Sequence, residues 1–232
     1  MKVEILADGD AVAARAAKWI AAEARPAVTA RGRFTIAVSG GHTPWQMLRL
    51  LAREQVDWGS IHLFQVDERV APAGDPDRNL THIRESLLGK VNLPPENIHA
   101  MPVEVADLGA GATRYARELE SVAGTPPVLD VVHLGLGPDG HTASLVPGDP
   151  VLDVNAADVA LTRTYNGRTR MTLTFPVLDR ARAILWVVTG AEKAGALPRL
   201  QAGDASIPAG RVRADRALVI ADRAAATSLV QR

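Results

Sequence analysis

Cysteine is absent from the 232 residues. Disulfides, thiolate nucleophiles and cysteine-ligated zinc are therefore excluded. An excess of charge is missing as well: 26 lysines and arginines balance 26 aspartates and glutamates. Nucleic acid demands a basic surface, so none is expected as a partner, although a local basic pocket is compatible with a neutral total. No apolar run approaches the roughly 18 residues of a membrane span. The opening MKVEILADGD reaches Glu4 too early for a secretory signal. The expectation is a cytoplasmic protein with no membrane partner. The six histidines (42, 62, 82, 99, 133 and 141) show no HxH or HxxxH pairing, so no metal site is expected.

What is present is apolar: 47% of the chain, enough for a sizeable core. One α/β domain over residues 1–232 is expected. Short apolar runs occur at 3–7, 34–38, 61–66, 129–136, 183–188 and 217–221. Several are apolar throughout, as in strands buried on both faces of a parallel sheet. Amphipathic segments at 10–25, 44–55, 78–88, 108–122 and 191–202 read as helices between them. This βαβα order predicts an α/β fold: a doubly wound, mainly parallel sheet with helices on both faces. Segment 156–175 reads as two strands around a turn near Asn166-Gly167, a small antiparallel addition.

Four polar motifs follow predicted strands directly: SGGHTP (39–44), DER (67–69), GPDGH (137–141) and TGAEK (189–193). In a parallel sheet those strand ends share one edge, where such folds bind ligands. Thr43 is placed to N-cap a helix and Pro44 to occupy its first position. Ser39, Gly40, Gly41 and Thr43 then read as an anion cradle at a helix start, or as an ordinary strand-to-helix turn. Ser39 fits a hydrolase nucleophile poorly, because Ala37 stands where GxSxG has its first glycine. Asp67, Glu68 and Arg69 offer carboxylates and a guanidinium at a strand end, for an anion, a developing oxyanion or a surface ion-pair cluster.

Only four of the basic residues are lysines. One of them, Lys193, sits in the first turn of a predicted helix, where the dipole disfavours a cation; a phosphate partner or simple solvation explains it. Arg168 or Arg170 reaches the shared edge, and strand alternation leaves the choice open. Asn79 is a polar contact or a helix cap. The GxGxxG formed by Gly135, Gly137 and Gly140 is a poor dinucleotide fingerprint, since Pro147 stops the long helix such a motif must open. His133 lies in a buried-type strand and reads as a core residue. His141 lies beyond a strand end, and an imidazole's ordinary pKa near 6.5 suits general-base work. Asp139, two residues earlier, is placed to orient it.

Taken in order, SGGHTP, DERV, GLGPDGHTASLVPG, RMTLT, TGAEKA and ADRAAA resemble the 6-phosphogluconolactonases over nearly the whole chain. The resemblance implies a Rossmann-like fold shared with glucosamine-6-phosphate deaminase. It implies hydrolysis of 6-phosphoglucono-1,5-lactone to 6-phosphogluconate in the pentose phosphate pathway, without metal or cofactor; the expected assembly, which the sequence does not decide, is a monomer or homodimer. In the deaminase a glutamate follows five residues after the histidine; here that position is Val146. The lactonase pattern has phenylalanine there and a residue other than His42 in the glycine loop.

Carried onto this chain, His141 activates water, Arg69 steadies the oxyanion and Asp139 supports His141. Gly40, Gly41, Thr43 and Lys193 hold the phosphate, with Ser39, Asp67, Asn79 and Arg168 or Arg170 around the substrate. The rival readings are a deaminase or isomerase, and a non-catalytic sugar-phosphate-binding regulator. The regulator would keep the phosphate residues while losing His141 or Arg69, and both are present.

Overall fold

The computed structural model describes residues 1–230. In chain order the elements are β1 (Lys2–Leu6), α1 (Gly9–Arg31), β2 (Phe34–Val38), α2 (His42–Leu51), β3 (Ile61–Gln65), β4 (Asp67–Arg69), α3 (Asn79–Ser86), β5 (Ile98–His99) and α4 (Leu108–Ala123). Then come β6 (Val131–Leu134), β7 (Val159–Leu161), β8 (Arg170–Leu173), α5 (Phe175–Arg180), β9 (Ala183–Val188), α6 (Ala196–Gln201), α7 (Pro208–Arg211), β10 (Ala217–Asp222) and α8 (Thr227–Val230). Seven strands form a sheet of order β1-β10-β9-β6-β2-β3-β5, every adjacent pair parallel. A second sheet of order β4-β8-β7 is antiparallel.

The strands lack polar alternation because both faces are covered. On β9, Leu185 and Val187 pack into the core shared with α1 and α2. Ile184, Trp186 and Val188 pack into the core shared with α4 to α7. On β2, Phe34, Ile36 and Val38 join the first core while Ala37 joins the second. Burying a Leu, Val or Ile side chain is worth about 1.5–3 kcal/mol, so these central strands anchor the molecule. The strand order reverses between β2 and β6: the chain runs outward from β2 to β3 and β5, and from β6 to β9 and β10. Loops leaving adjacent strands there diverge to opposite faces and open a crevice.

Three local expectations are corrected. Helix α1 does not end at Arg25 but runs through Pro26 to Arg31. Pro26 and Ala22 both lie on the exposed face, so the carbonyl that loses its partner meets water, while Ala21, Ala24 and Ala27 stay buried. Asp8 caps the start, accepting from Ala11 N at 2.9 Å, and Gly32 ends it at φ 72°. Thr43 is not the cap of α2: Gly41 is, and Thr43 lies within the first turn. Residues 67–69 continue as the short strand β4, paired antiparallel with β8. The predicted helix 191–202 is a 3₁₀ turn over Ala191–Lys193 followed by α6; Lys193 is thus on a turn.

Candidate functional site

The carboxyl ends of β2, β6 and β9 surround a cleft of ≈ 300 Å³ on the switch-point crevice. Behind the lining, the wholly buried His133 on β6 anchors Ser39. The Ser39 backbone N–H donates to His133 Nδ1 at 3.2 Å, and Ser39 Oγ donates to the His133 carbonyl at 3.0 Å. Ser39 is thereby tied to the sheet rather than poised as a nucleophile. His133 is wholly buried, and that burial lowers its pKa to about 3, so the ring stays neutral and accepts the hydrogen bond from the Ser39 N–H.

The glycines that follow are required by geometry. A Cβ on Gly40 would sit 1.9 Å from Asn79 Oδ1, and Gly41 has φ 129°. Helix α2 starts at once without a side-chain cap. The His42 and Thr43 N–H groups have no intrahelical acceptor there, and both residues line the cleft at the positive end of the helix dipole. Thr43 Oγ1 and Thr189 Oγ1, 2.7 Å apart, join this loop to the one after β9. That second loop is pinned from β10: Asp222 accepts from Gly190 N at 3.2 and 3.1 Å and from Ala225 N at 2.7 Å. The terminal ADRAAA thus shapes the loop that presents Lys193. Lys193 lines the cleft with its Nζ 3.6 Å from Glu192 Oε1.

The opposite wall comes from the small sheet. Arg69 on β4 and Arg170 on β8 are direct cross-strand partners, a pairing of like charges that disfavours itself. Burial, then the neighbouring Arg69, pushes the Arg170 pKa below its ordinary value. The Nε of each arginine is buried without a hydrogen-bond partner. Arg69 Nη1 donates to the Asp77 carbonyl at 2.7 Å and to Asn79 Oδ1 at 2.9 Å. Asn79 donates in turn to the Asp67 carbonyl at 2.9 Å, and Asp67 accepts from Ser144 Oγ at 2.5 Å. Beneath them Glu68 is fully buried. It accepts from Asn79 N and Leu80 N at 2.8 and 2.9 Å and pairs with Arg78 Nε at 3.1 Å. Glu68 therefore caps α3 and holds Asn79 at the cleft.

His141 stands between the walls on a closed turn, in which Gly137 N donates to the His141 carbonyl at 2.8 Å. A Cβ on Gly137 would strike His141 Nδ1 at 2.1 Å, and Gly140 has φ 84° against Ile207. These glycines fit the histidine turn, and no α-helix opens from them: the next element is a short 3₁₀ turn at Pro150–Asp153. His141 Nδ1 lies 2.6 Å from Asp139 Oδ1, which also accepts from His141 N at 3.1 Å. Burial pushes the Asp139 carboxyl up, but the His141 backbone N–H, charge and ring N–H together hold it below its ordinary value. With Nδ1 so engaged, Nε2 is the nitrogen free to exchange a proton.

Of the expected residues, Ser39, Gly40, Gly41, Thr43, Asp67, Asn79, Arg69, His141, Arg170 and Lys193 line one cleft. Asp139 stands behind His141. Arg168 is elsewhere: it pairs with Asp75 at 3.2 Å and Asp77 at 3.0 Å. Position 168 lies in the turn before β8, so strand alternation does not govern it. Thr189 and Glu192 also line the cleft; sequence reasoning passed over both, although they stand within TGAEK. Among the described residues no group of three or more His, Cys, Asp or Glu is placed to hold a metal ion.

An open parallel sheet with a cationic, histidine-bearing cleft at its switch point defines an α/β protein of the class that takes a small ligand at the strand ends. The chain belongs to the family described as glucosamine-6-phosphate isomerases/6-phosphogluconolactonase, which matches residues 7–220. It is 38% identical over 208 residues to a 6-phosphogluconolactonase of Synechocystis, covering 88% of this chain and 86% of that protein. It is 36% identical to the 6-phosphogluconolactonase of Mycobacterium tuberculosis, with 98% of each covered. The crystal structure of 6-phosphogluconolactonase from Thermotoga maritima superposes with a TM-score of 0.85 at 26% identity, over 95% of this chain and 98% of that one.

Proposed function

We propose that this chain hydrolyses 6-phosphoglucono-1,5-lactone to 6-phosphogluconate, the lactone-opening step of the pentose phosphate pathway. The observation that carries the reading is the Asp139–His141 couple, with Nδ1 held at 2.6 Å, opening onto a cleft walled by Arg69, Arg170 and Lys193. His141 Nε2 takes a proton from water as the water oxygen bonds to the lactone carbonyl carbon. Arg69 and neighbouring backbone N–H groups steady the negative oxygen. The carbon–ring-oxygen bond then breaks, and the imidazolium returns its proton to the departing oxygen. The phosphate rests on the Gly40–Thr43 loop, the start of α2 and Lys193, and that remote binding aligns the lactone for attack. No helix among the described residues is long and apolar enough to cross a membrane, which suits a small soluble substrate.

Position 146 disfavours the deaminase reading. Val146 is buried and 5% exposed, with no carboxylate to assist ring opening. The test measures lactone hydrolysis above the spontaneous rate for wild type and His141→Ala side by side, with ammonia release from glucosamine 6-phosphate as the counter-assay. Equal rates in both proteins would refute the role of His141. Ammonia release would move the chain to the deaminases.

A further inference from the structure

Tyr165 is outside every motif and outside both hydrophobic cores, yet it meets three residues of the site at once. Its phenol O–H donates to Asp139 Oδ2 at 3.4 Å. Its ring stands edge-on to the His141 imidazole, centroids 5.8 Å apart at 65°. The Arg170 guanidinium carbon lies 4.9 Å above the same ring. Asp139 uses its other oxygen, Oδ1, to hold His141. The phenol thus completes a chain from Tyr165 through Asp139 to His141.

The backbone keeps Tyr165 there. Tyr165 N donates to the Arg168 carbonyl at 2.9 Å, and Arg168 N returns a bond at 3.3 Å. Between them Asn166 and Gly167 have φ 50° and 77°, the left-handed pair of a two-residue hairpin turn. Arg168 then fastens the turn to Asp75 and Asp77, and the Asp77 carbonyl accepts from Arg69. One hairpin tip therefore touches the supports of His141, Arg170 and Arg69.

We propose that Tyr165 is a positioning residue, which orients the Asp139–His141 couple through its hydroxyl and ring edge and holds Arg170 over its face. The proposal rests on the lactonase reading for its kinetic consequence, but its structural consequence is independent of substrate. A general base must meet its water within a few tenths of an ångström, and misplacement is costly. An aromatic face also confines a guanidinium that otherwise sweeps many rotamers.

The test compares wild type, Tyr165→Phe and Tyr165→Leu by two readouts. The first is the ¹⁵N spectrum of the imidazoles, assigned to His141 by comparison with His141→Ala. The second is kcat and KM for lactone hydrolysis. In Tyr165→Leu the His141 ring signals shift or broaden. Its kcat falls roughly 10–100-fold and KM rises as Arg170 is released. Tyr165→Phe keeps both ring contacts, leaves KM unchanged and lowers kcat only roughly 2–3-fold. A folded Tyr165→Leu protein with wild-type His141 signals, kcat and KM would overturn the proposal. A wild type without lactonase activity would overturn the proposed function instead, and the ring spectra would still decide the positioning role.

Discussion

The two ends of the parallel sheet use similar residues to opposite effect. At the amino end, Asp130 is closed in. It accepts from Arg31 at 2.6 Å and from Thr35 N and Oγ1 at 2.9 and 3.1 Å, with Arg182 Nε at 3.3 Å. Every strong demand of that carboxylate is met within the chain. At the carboxyl end, Arg69 and Arg170 oppose one another across a ladder, and each keeps a buried Nε without a partner. Unpaired buried polar groups cost free energy, so the second arrangement is maintained against its own stability. A charge cluster that satisfies itself acts as a structural clamp. One left open is where an anionic ligand gains most by binding.

The contrast is broken most severely at His141. Replacement by alanine is expected to lower kcat/KM roughly 10²–10⁴-fold with no change in melting temperature; steady-state kinetics and thermal unfolding on one preparation check both halves. Asp130→Ala should do the converse. Losing it strands the buried Thr35 N–H and two guanidiniums, for about 3 kcal/mol of stability. The partners' exposure keeps the cost at the low end. Urea unfolding measures that loss, and turnover per folded molecule should stay at the wild-type level.

His133 links the site to pH. Its folded pKa of about 3 lies below the ordinary 6.5. As pH falls below 6.5 the unfolded chain therefore binds a proton that the folded chain refuses. Its contribution is complete above pH 6.5 and shrinks toward pH 3, by about 2 kcal/mol between pH 7 and pH 5. His133→Asn keeps an acceptor near Ser39 N, and its unfolding free energy should lose this part of the acid slope. A slope identical to wild type would contradict a neutral buried ring. The smallest effect is expected at Arg170→Met, which relieves like-charge repulsion. Stability should hold or rise by up to about 1 kcal/mol, while KM rises roughly tenfold. A protein both less stable and unchanged in KM would assign Arg170 to the structure rather than to the ligand.

Much of the site was legible before any tertiary contact was known. GPDGH, SGGHTP and TGAEK each follow an apolar run, and parallel strands put such ends on one edge. The DER motif was legible only in part. Asp67 and Arg69 could be placed at a strand end, but their ladder with β8 depends on a partner about a hundred residues away. Glu192 and Thr189 both stand within TGAEK, but Glu192 lines the cleft from a 3₁₀ turn where a helix was expected, and Thr189 reaches it through a contact with Thr43, 146 residues away in the chain. Tyr165 gave no signal at all: its contacts span 26 residues to Asp139 and exist only once the hairpin closes.

The apolar, unalternating strands and the polar letters after them were determined by the sequence alone. Burial on both faces and strand-end chemistry are local properties of residue type. The tertiary structure alone decided that Arg170 faces the cleft while Arg168 fastens a turn to Asp75 and Asp77. The two arginines are two letters apart, and only the point at which the turn becomes a paired strand separates their directions. That point is set by long-range register, not by local propensity.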